Sequence, residues 1–201
     1  MSPIAAGEYD EAAIETRLRS VAPEALVAFA ASCAERLFLL YREVAKQTGS
    51  GDEPALRAAL DLAWSGGRPG ERASAVVDAE RENAESLVPH DDADDWTDLS
   101  PLAQNAAAAV AYALRAWRSA DAQDGVWAAR QVHESADFLD QAGSPPHEYA
   151  DSERIDSVAA LLVGGIAAAL AECDSGDLDR LRSDAVADGE RLLAFIDEGG
   201  P

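Results

Sequence analysis

The sequence predicts an all-α fold, a single compact domain over residues 1–201 built as a bundle of about eight helices in mixed antiparallel and orthogonal packing. Three observations predict it. Apolar residues recur at steps of three and four along most of the chain, and alternation over strand lengths is almost absent. Of the 201 residues 44 are alanine, the residue that loses least on entering a helix. Glycine, proline and aspartate fall between the periodic runs, and the short connections they mark favour antiparallel neighbours.

The elements follow in order. A first helix over about 9–20 places Ile14, Leu18 and Val21 on one face. Pro23 opens the second, where its missing N–H costs nothing, and Gly49 closes it. Leu26, Ala30, Cys33, Leu37, Leu40 and Val44 are spaced 4, 3, 4, 3 and 4 apart, a packing seam that Phe29 and Tyr41 widen. Asp52 is an N-cap for a third helix that carries Leu56, Leu60 and Trp64. A more polar fourth helix over about 71–86 is anchored by Val76 and Val77. Ser100 and Pro101 read as cap and first residue of a fifth, whose alanines at 106–109 let a neighbour approach closely. Asp121 caps a sixth that runs to about 141 and turns Val126, Val132, Ala136 and Leu139 inward. The seventh, about 148–172, buries Ile155, Val158, Leu162 and Ile166. Asp177 caps the last, with Leu178, Leu181, Ala185, Leu192 and Ile196 as its stripe. Residues 1–8 and 198–201 are expected to fray.

Charge narrows the function. With 38 acidic and 16 basic side chains the formal charge is −22, and Lys46 is the one lysine. Nucleic acid is bound by releasing counterions through a basic face, so it is not an expected partner. An anionic membrane surface is repelled for the same reason, and the longest apolar run, 158–171, is too short to span a bilayer. The field favours cationic partners, a basic protein among them, or simply keeps the protein soluble. Two cysteines, Cys33 and Cys173, on apolar helical stretches read as buried free thiols of a reducing, cytoplasmic setting.

Chemistry-bearing residues are few. Asp91, Asp92, Asp94, Asp95 and Asp98 form an acidic loop that could attract a cation, but the turn glycine and closing glutamate of an EF-hand loop are missing. His133 and Asp137 share a helix face at i and i+4, a spacing that could ligate a metal but more often stabilises the helix. Glu35 and Arg36 interrupt an apolar helix, so they either reach the surface or pair inside, as a structural ion pair or an interface contact. No phosphate loop, nucleophile elbow or HExxH zinc motif occurs. No catalytic residue, metal or cofactor is assigned. The candidate interaction or cleft residues are Glu35, Arg36, Tyr41, Asp52, Trp64 and His133.

The stretch Phe29-Ala30-Ala31-Ser32-Cys33-Ala34-Glu35-Arg36-Leu37, with Tyr41, Thr48-Gly49, Gly51-Asp52, Leu56-Arg57 and Leu60-Asp61-Leu62-Ala63-Trp64, resembles the YjaG-like family of bacterial proteins of unknown function. The Val88-Pro89 segment with its acidic loop, and Asp177 to Asp184 with Gly189-Glu190, are similar in layout. The chain departs from the pattern at Leu39-Leu40, where a proline often precedes the tyrosine, and in the low charge of the seventh helix. The resemblance implies an all-α fold in a bacterial cytoplasm and no activity.

The expected function is therefore a non-enzymatic protein-interaction module, acting on itself as a homodimer or on a basic protein. An immunity- or antitoxin-like acidic binder is one form of it. The alternative is a small-molecule- or metal-dependent enzyme with a site between helices near Glu35, Tyr41 and His133. That alternative requires the three side chains to converge.

Overall fold

The computed structural model describes residues 9–67, 75–90, 96–142 and 152–197. Among them run eight α-helices: α1 (Glu11–Leu18), α2 (Pro23–Thr48), α3 (Glu53–Gly66), α4 (Ala75–Ser86), α5 (Ser100–Ser119), α6 (Ala122–Ala142), α7 (Ser152–Glu172) and α8 (Leu178–Asp197). A single 3-10 turn, Cys173–Ser175, joins α7 to α8, and no strand occurs among the described residues.

Helix α2 is the centre of the bundle. It packs against α3, α5, α6 and α8 and also touches α7 and the 3-10 turn. The expected seam is buried throughout, but burial extends all round the helix, without a break from Ala25 to Phe38. Alanines at 25, 28, 30, 31 and 34 explain this: small side chains let neighbours close in on every side. Helix α5 is its largest partner and presents Ala103, Ala106, Ala107, Val110, Ala113 and Leu114 to the same core. The expected burial of Val126, Val132, Ala136, Leu139, Leu162, Ile166, Leu181, Ala185 and Leu192 is observed. The side chains of Ile155 and Val158 lie outside the described residues, as do 1–8 and 198–201.

The caps are mostly those the sequence predicts. Asp52 Oδ1 accepts from Ala55 N–H at 2.9 Å, Asp121 Oδ1 from Gln123 N–H at 3.0 Å and Asp177 Oδ1 from Arg180 N–H at 3.1 Å. Each satisfies an N–H that the first helical turn leaves open. Two expectations are corrected. Ser100 does not cap α5: Leu99 holds that position, and the Ser100 hydroxyl accepts from Thr97 N–H at 2.8 Å, bracing the preceding turn. Val76 does not anchor α4. It is 56% exposed while Val77 is buried, because adjacent residues on a helix point about 100° apart and only one can face α5.

Helix α5 ends on Ala120, whose φ of +52° is left-handed, and its N–H donates to Ala116 C=O at 2.9 Å. A Cβ in this region costs about 1–2 kcal/mol, part of which glycine returns as unfolded-chain entropy. Ala120→Gly is therefore expected to stabilise the protein by about 0.5–1 kcal/mol in urea unfolding.

Candidate functional site

The most polar place in the core lies on α2, where Glu35 and Arg36 are both buried. Adjacent on the helix, they leave it in different directions and find different partners. Glu35 faces α3. Its Oε1 accepts from Arg57 Nη1 at 2.5 Å, and its Oε2 accepts from Arg57 Nη2 at 3.0 Å and from the Trp64 indole N–H at 2.6 Å. Arg182, arriving from α8, brings its Nε to 3.4 Å from Oε2 and donates Nη2 to Asp61 Oδ1. Arg57 Nη2 also reaches Asp61 at 2.8 Å. Arg57 stacks over the Phe38 ring at 4.7 Å, and Arg182 lies over Trp64 at 5.7 Å. One carboxylate thus ties three helices together.

The local sequence explains the geometry. Arg57, Asp61 and Trp64 sit at i, i+4 and i+7 of α3, a single helix face, and that face is laid against Glu35. Burial by itself works against the Arg57 charge. The hydrogen bonds and attraction of Glu35, and then of Asp61, more than offset it and hold the guanidinium above its ordinary pKa. The Arg57 Nε atom is buried and has no hydrogen-bond partner among the described residues.

Arg36 turns to the other side. Its side chain is 1% exposed; Nε donates to Asp188 Oδ2 of α8 at 3.1 Å and Nη1 to Ser32 C=O at 2.9 Å. Asp188 Oδ1 accepts a second bond from the exposed Arg191 at 3.2 Å. Gly165 of α7 makes room for this pair, because a Cβ there would lie 2.6 Å from Arg36 Nε and 2.9 Å from Asp188 Oδ2. Gly165→Ala is expected to force the pair apart and to destabilise by about 1–3 kcal/mol, read by denaturant unfolding; a change within experimental error would mean that α7 yields instead.

The other candidate residues stand elsewhere. Tyr41 lies two turns further along α2, where its hydroxyl oxygen accepts from Asp52 N–H at 3.1 Å, so these two brace the turn between α2 and α3. His133 of α6 stacks on Tyr9 at 4.1 Å and has Nε2 3.6 Å from Asp137 Oδ2, and its buried Nδ1 has no hydrogen-bond partner among the described residues. Beside it Arg130 binds Glu11 with two 2.7 Å bonds, which lower the Glu11 pKa, while burial, ahead of the Glu11 charge, raises that of Tyr9. The structure joins Glu35 to Trp64 and Tyr41 to Asp52, but it does not bring Glu35, Tyr41 and His133 together. The convergence on which the enzyme alternative rests is not observed.

The cation expectation at the acidic loop falls mostly on residues 91–95, outside the described residues; Asp98 is exposed. Among the described residues no group of three or more His, Cys, Asp or Glu side chains could hold a metal ion. Cys33 and Cys173 are buried thiols outside any disulfide, as expected, and burial pushes the Cys33 thiol up to about 12. No helix among the described residues is long and apolar enough to cross a membrane.

Sequence reasoning singled out Glu35, Arg36 and Trp64 but missed Arg57, Asp61, Arg182 and Asp188. The i, i+4, i+7 spacing of Arg57, Asp61 and Trp64 was the available signal. Nothing local marks Asp188, 152 residues from Arg36.

Comparison with known proteins gives no match among curated proteins. The chain is similar in fold to the crystal structure of a DUF416 family protein from Shewanella baltica OS155, at 16% identity and a TM-score of 0.67, over 86% of this chain and 93% of that one. A family model described as Protein of unknown function (DUF416) matches residues 13–137. That span contains the α2 and α3 halves of both polar clusters and stops before Arg182 and Asp188. With most of its length matched, and with the fold shared, the chain belongs to the DUF416 family of proteins of unknown function.

Proposed function

We propose that this protein acts by protein–protein contact, presenting an acidic exterior to a basic partner in a bacterial cytoplasm. The observation that carries the reading is how its charge is spent. There are 22 more acidic than basic side chains. Much of the basic complement is already matched within the fold, as Arg36 is to Asp188, Arg57 and Arg182 to Glu35 and Asp61, Arg115 to Asp124, Arg118 to Asp78 and Arg130 to Glu11. The unmatched carboxylates set the outside field, and such a field speeds encounter with a positive surface. The Glu35 network supports the same reading: its two oxygens are taken up by Arg57, Trp64 and Arg182, so it fastens helices and offers no spare base. Two thiols outside any disulfide fit the reducing compartment. An immunity- or antitoxin-like role is the concrete form this reading takes.

The test is capture of the tagged chain from its own host at about 30 mM and at about 500 mM salt, with native mass measurement of what elutes. The reading expects a stoichiometric, strongly basic protein at low salt that is released at high salt. A lone monomer at both, or a self-associated dimer indifferent to salt, contradicts it.

A further inference from the structure

We propose that the groove between α7 and α8 binds a small carboxylate with an apolar body, held by the buried Arg36 guanidinium and the exposed Arg191. The proposal goes beyond the protein-partner reading and does not depend on it. The two helices run antiparallel: Gly165 lies against Asp188, and nearer the turn Glu172 pairs with Arg180 at 2.9 Å. The groove they leave holds about 370 Å³, within the range of small-molecule sites. Its α7 wall is Ala160, Leu161, Gly164 and Ala168, a stretch without charge. Arg36 reaches it from α2.

Arg36 is the built polar element. A guanidinium carries five N–H donors in one plane. In Arg36, Nε donates to Asp188 and Nη1 to the Ser32 carbonyl, and Nη2 has no hydrogen-bond partner among the described residues. Nη2 is not sealed off as Arg57 Nε is, so it meets solvent through the groove that Arg36 lines. The side chain is otherwise covered and fixed in place, with Gly165 pressed against its Nε and Gly189 against its backbone carbonyl. A buried cation with donors to spare at the floor of a groove calls for an acceptor there.

Charge selects the class of ligand. Asp188 is shared by Arg36 and Arg191, so two guanidinium groups face one carboxylate at that end of the groove. Asp184, one turn away on α8, is turned toward Arg180 at 3.7 Å. A second carboxylate beside Arg36 and Arg191 completes an alternation of two cations and two anions, and its flat pair of oxygens fits the fork of a guanidinium. An ammonium ion in the same place meets a spare cation. Repulsion of an anion by the remote acidic surface is screened over about 8 Å in physiological salt, whereas contact with Arg36 is not. The uncharged α7 wall takes the body of the ligand. Gly164 leaves room for it, since a Cβ there would have nothing within 4 Å.

Isothermal titration of the intact protein at about 0.15 M salt tests this with three probes of one shape, isovalerate, neutral isovaleramide and isoamylammonium, and with inorganic phosphate. Isovalerate is expected to bind one-to-one with a Kd below about 1 mM, the amide at least about tenfold more weakly and the ammonium not at all. Phosphate, which has no apolar body, should bind at least about fivefold more weakly than isovalerate. Gly164→Leu should abolish isovalerate binding while the unfolding midpoint holds or rises, because the new side chain enters the open groove and glycine is the poorer helix former. Arg191→Gln should weaken isovalerate by about fivefold with little change in the midpoint, since that side chain is 66% exposed. Absence of saturable isovalerate binding, equal affinity for the amide, the ammonium or phosphate, or indifference to Gly164→Leu or to Arg191→Gln would each overturn the proposal.

Discussion

Replacing Glu35 by alanine is expected to lower stability by about 3–5 kcal/mol, the range for removing one member of a buried ion pair. The loss has three sources. The Trp64 N–H, in a residue 4% exposed, loses its one acceptor among the described residues. Arg57 and Arg182 lose the carboxylate that faces both of them, although each is open enough to solvent to be partly rehydrated. A void is left where α2, α3 and α8 meet. Because the indole is the least recoverable of the three, Trp64→Phe should cost less in the Glu35→Ala protein than in the parent, by about 1–2 kcal/mol. Glu35→Gln keeps one oxygen for the indole and should fall between parent and alanine variant. Urea unfolding followed by tryptophan fluorescence reads all three. Equal costs of Trp64→Phe in both backgrounds would deny the Trp64–Glu35 bond any role.

Arg36→Met carries the second large effect, about 3–4 kcal/mol of lost stability. Methionine fills most of the volume of an arginine, so the cost is electrostatic: Asp188 remains buried at the α2–α8 contact, with the exposed Arg191 as its one remaining salt-bridge partner among the described residues. The proposed cause makes a second claim. Replacing both members by apolar residues removes the stranded charge, so Arg36→Met with Asp188→Leu should recover at least half of what the single change loses. Hydrogen exchange on Arg36→Met should show α8 losing protection before α2, since the pair is a main polar link between them. If the double variant is no more stable than the single one, lost packing and not a stranded charge is the cause.

These two residues show how far the sequence could be read. The period of α2 was plain, because its apolar steps of three and four leave no other regular structure, and Glu35 and Arg36 stood out as charges within it. That such charges must pair follows from the cost of burying them alone. Where they pair was not legible. Arg57 lies 22 residues away across a turn, and Asp188 lies 152 residues away on a helix whose docking no local pattern sets. Caps were read well at Asp52, Asp121 and Asp177, where an aspartate precedes the helix and its carboxylate reaches back to an open N–H. At Ser100 the same chemistry served the preceding turn, a choice between two nearby N–H groups that composition does not decide. Tyr41 was noticed for its place in a motif. Its real setting, under the Gly51 backbone, depends on the turn bringing α3 back over α2.

The account turns on the polar groups of α2 being fasteners between helices and not a reaction centre. A double-mutant cycle of Glu35→Gln and Arg57→Gln in urea measures this most directly. The account predicts a coupling of at least about 1 kcal/mol, with each single change destabilising. Single variants as stable as the parent, with a coupling near zero, would contradict it.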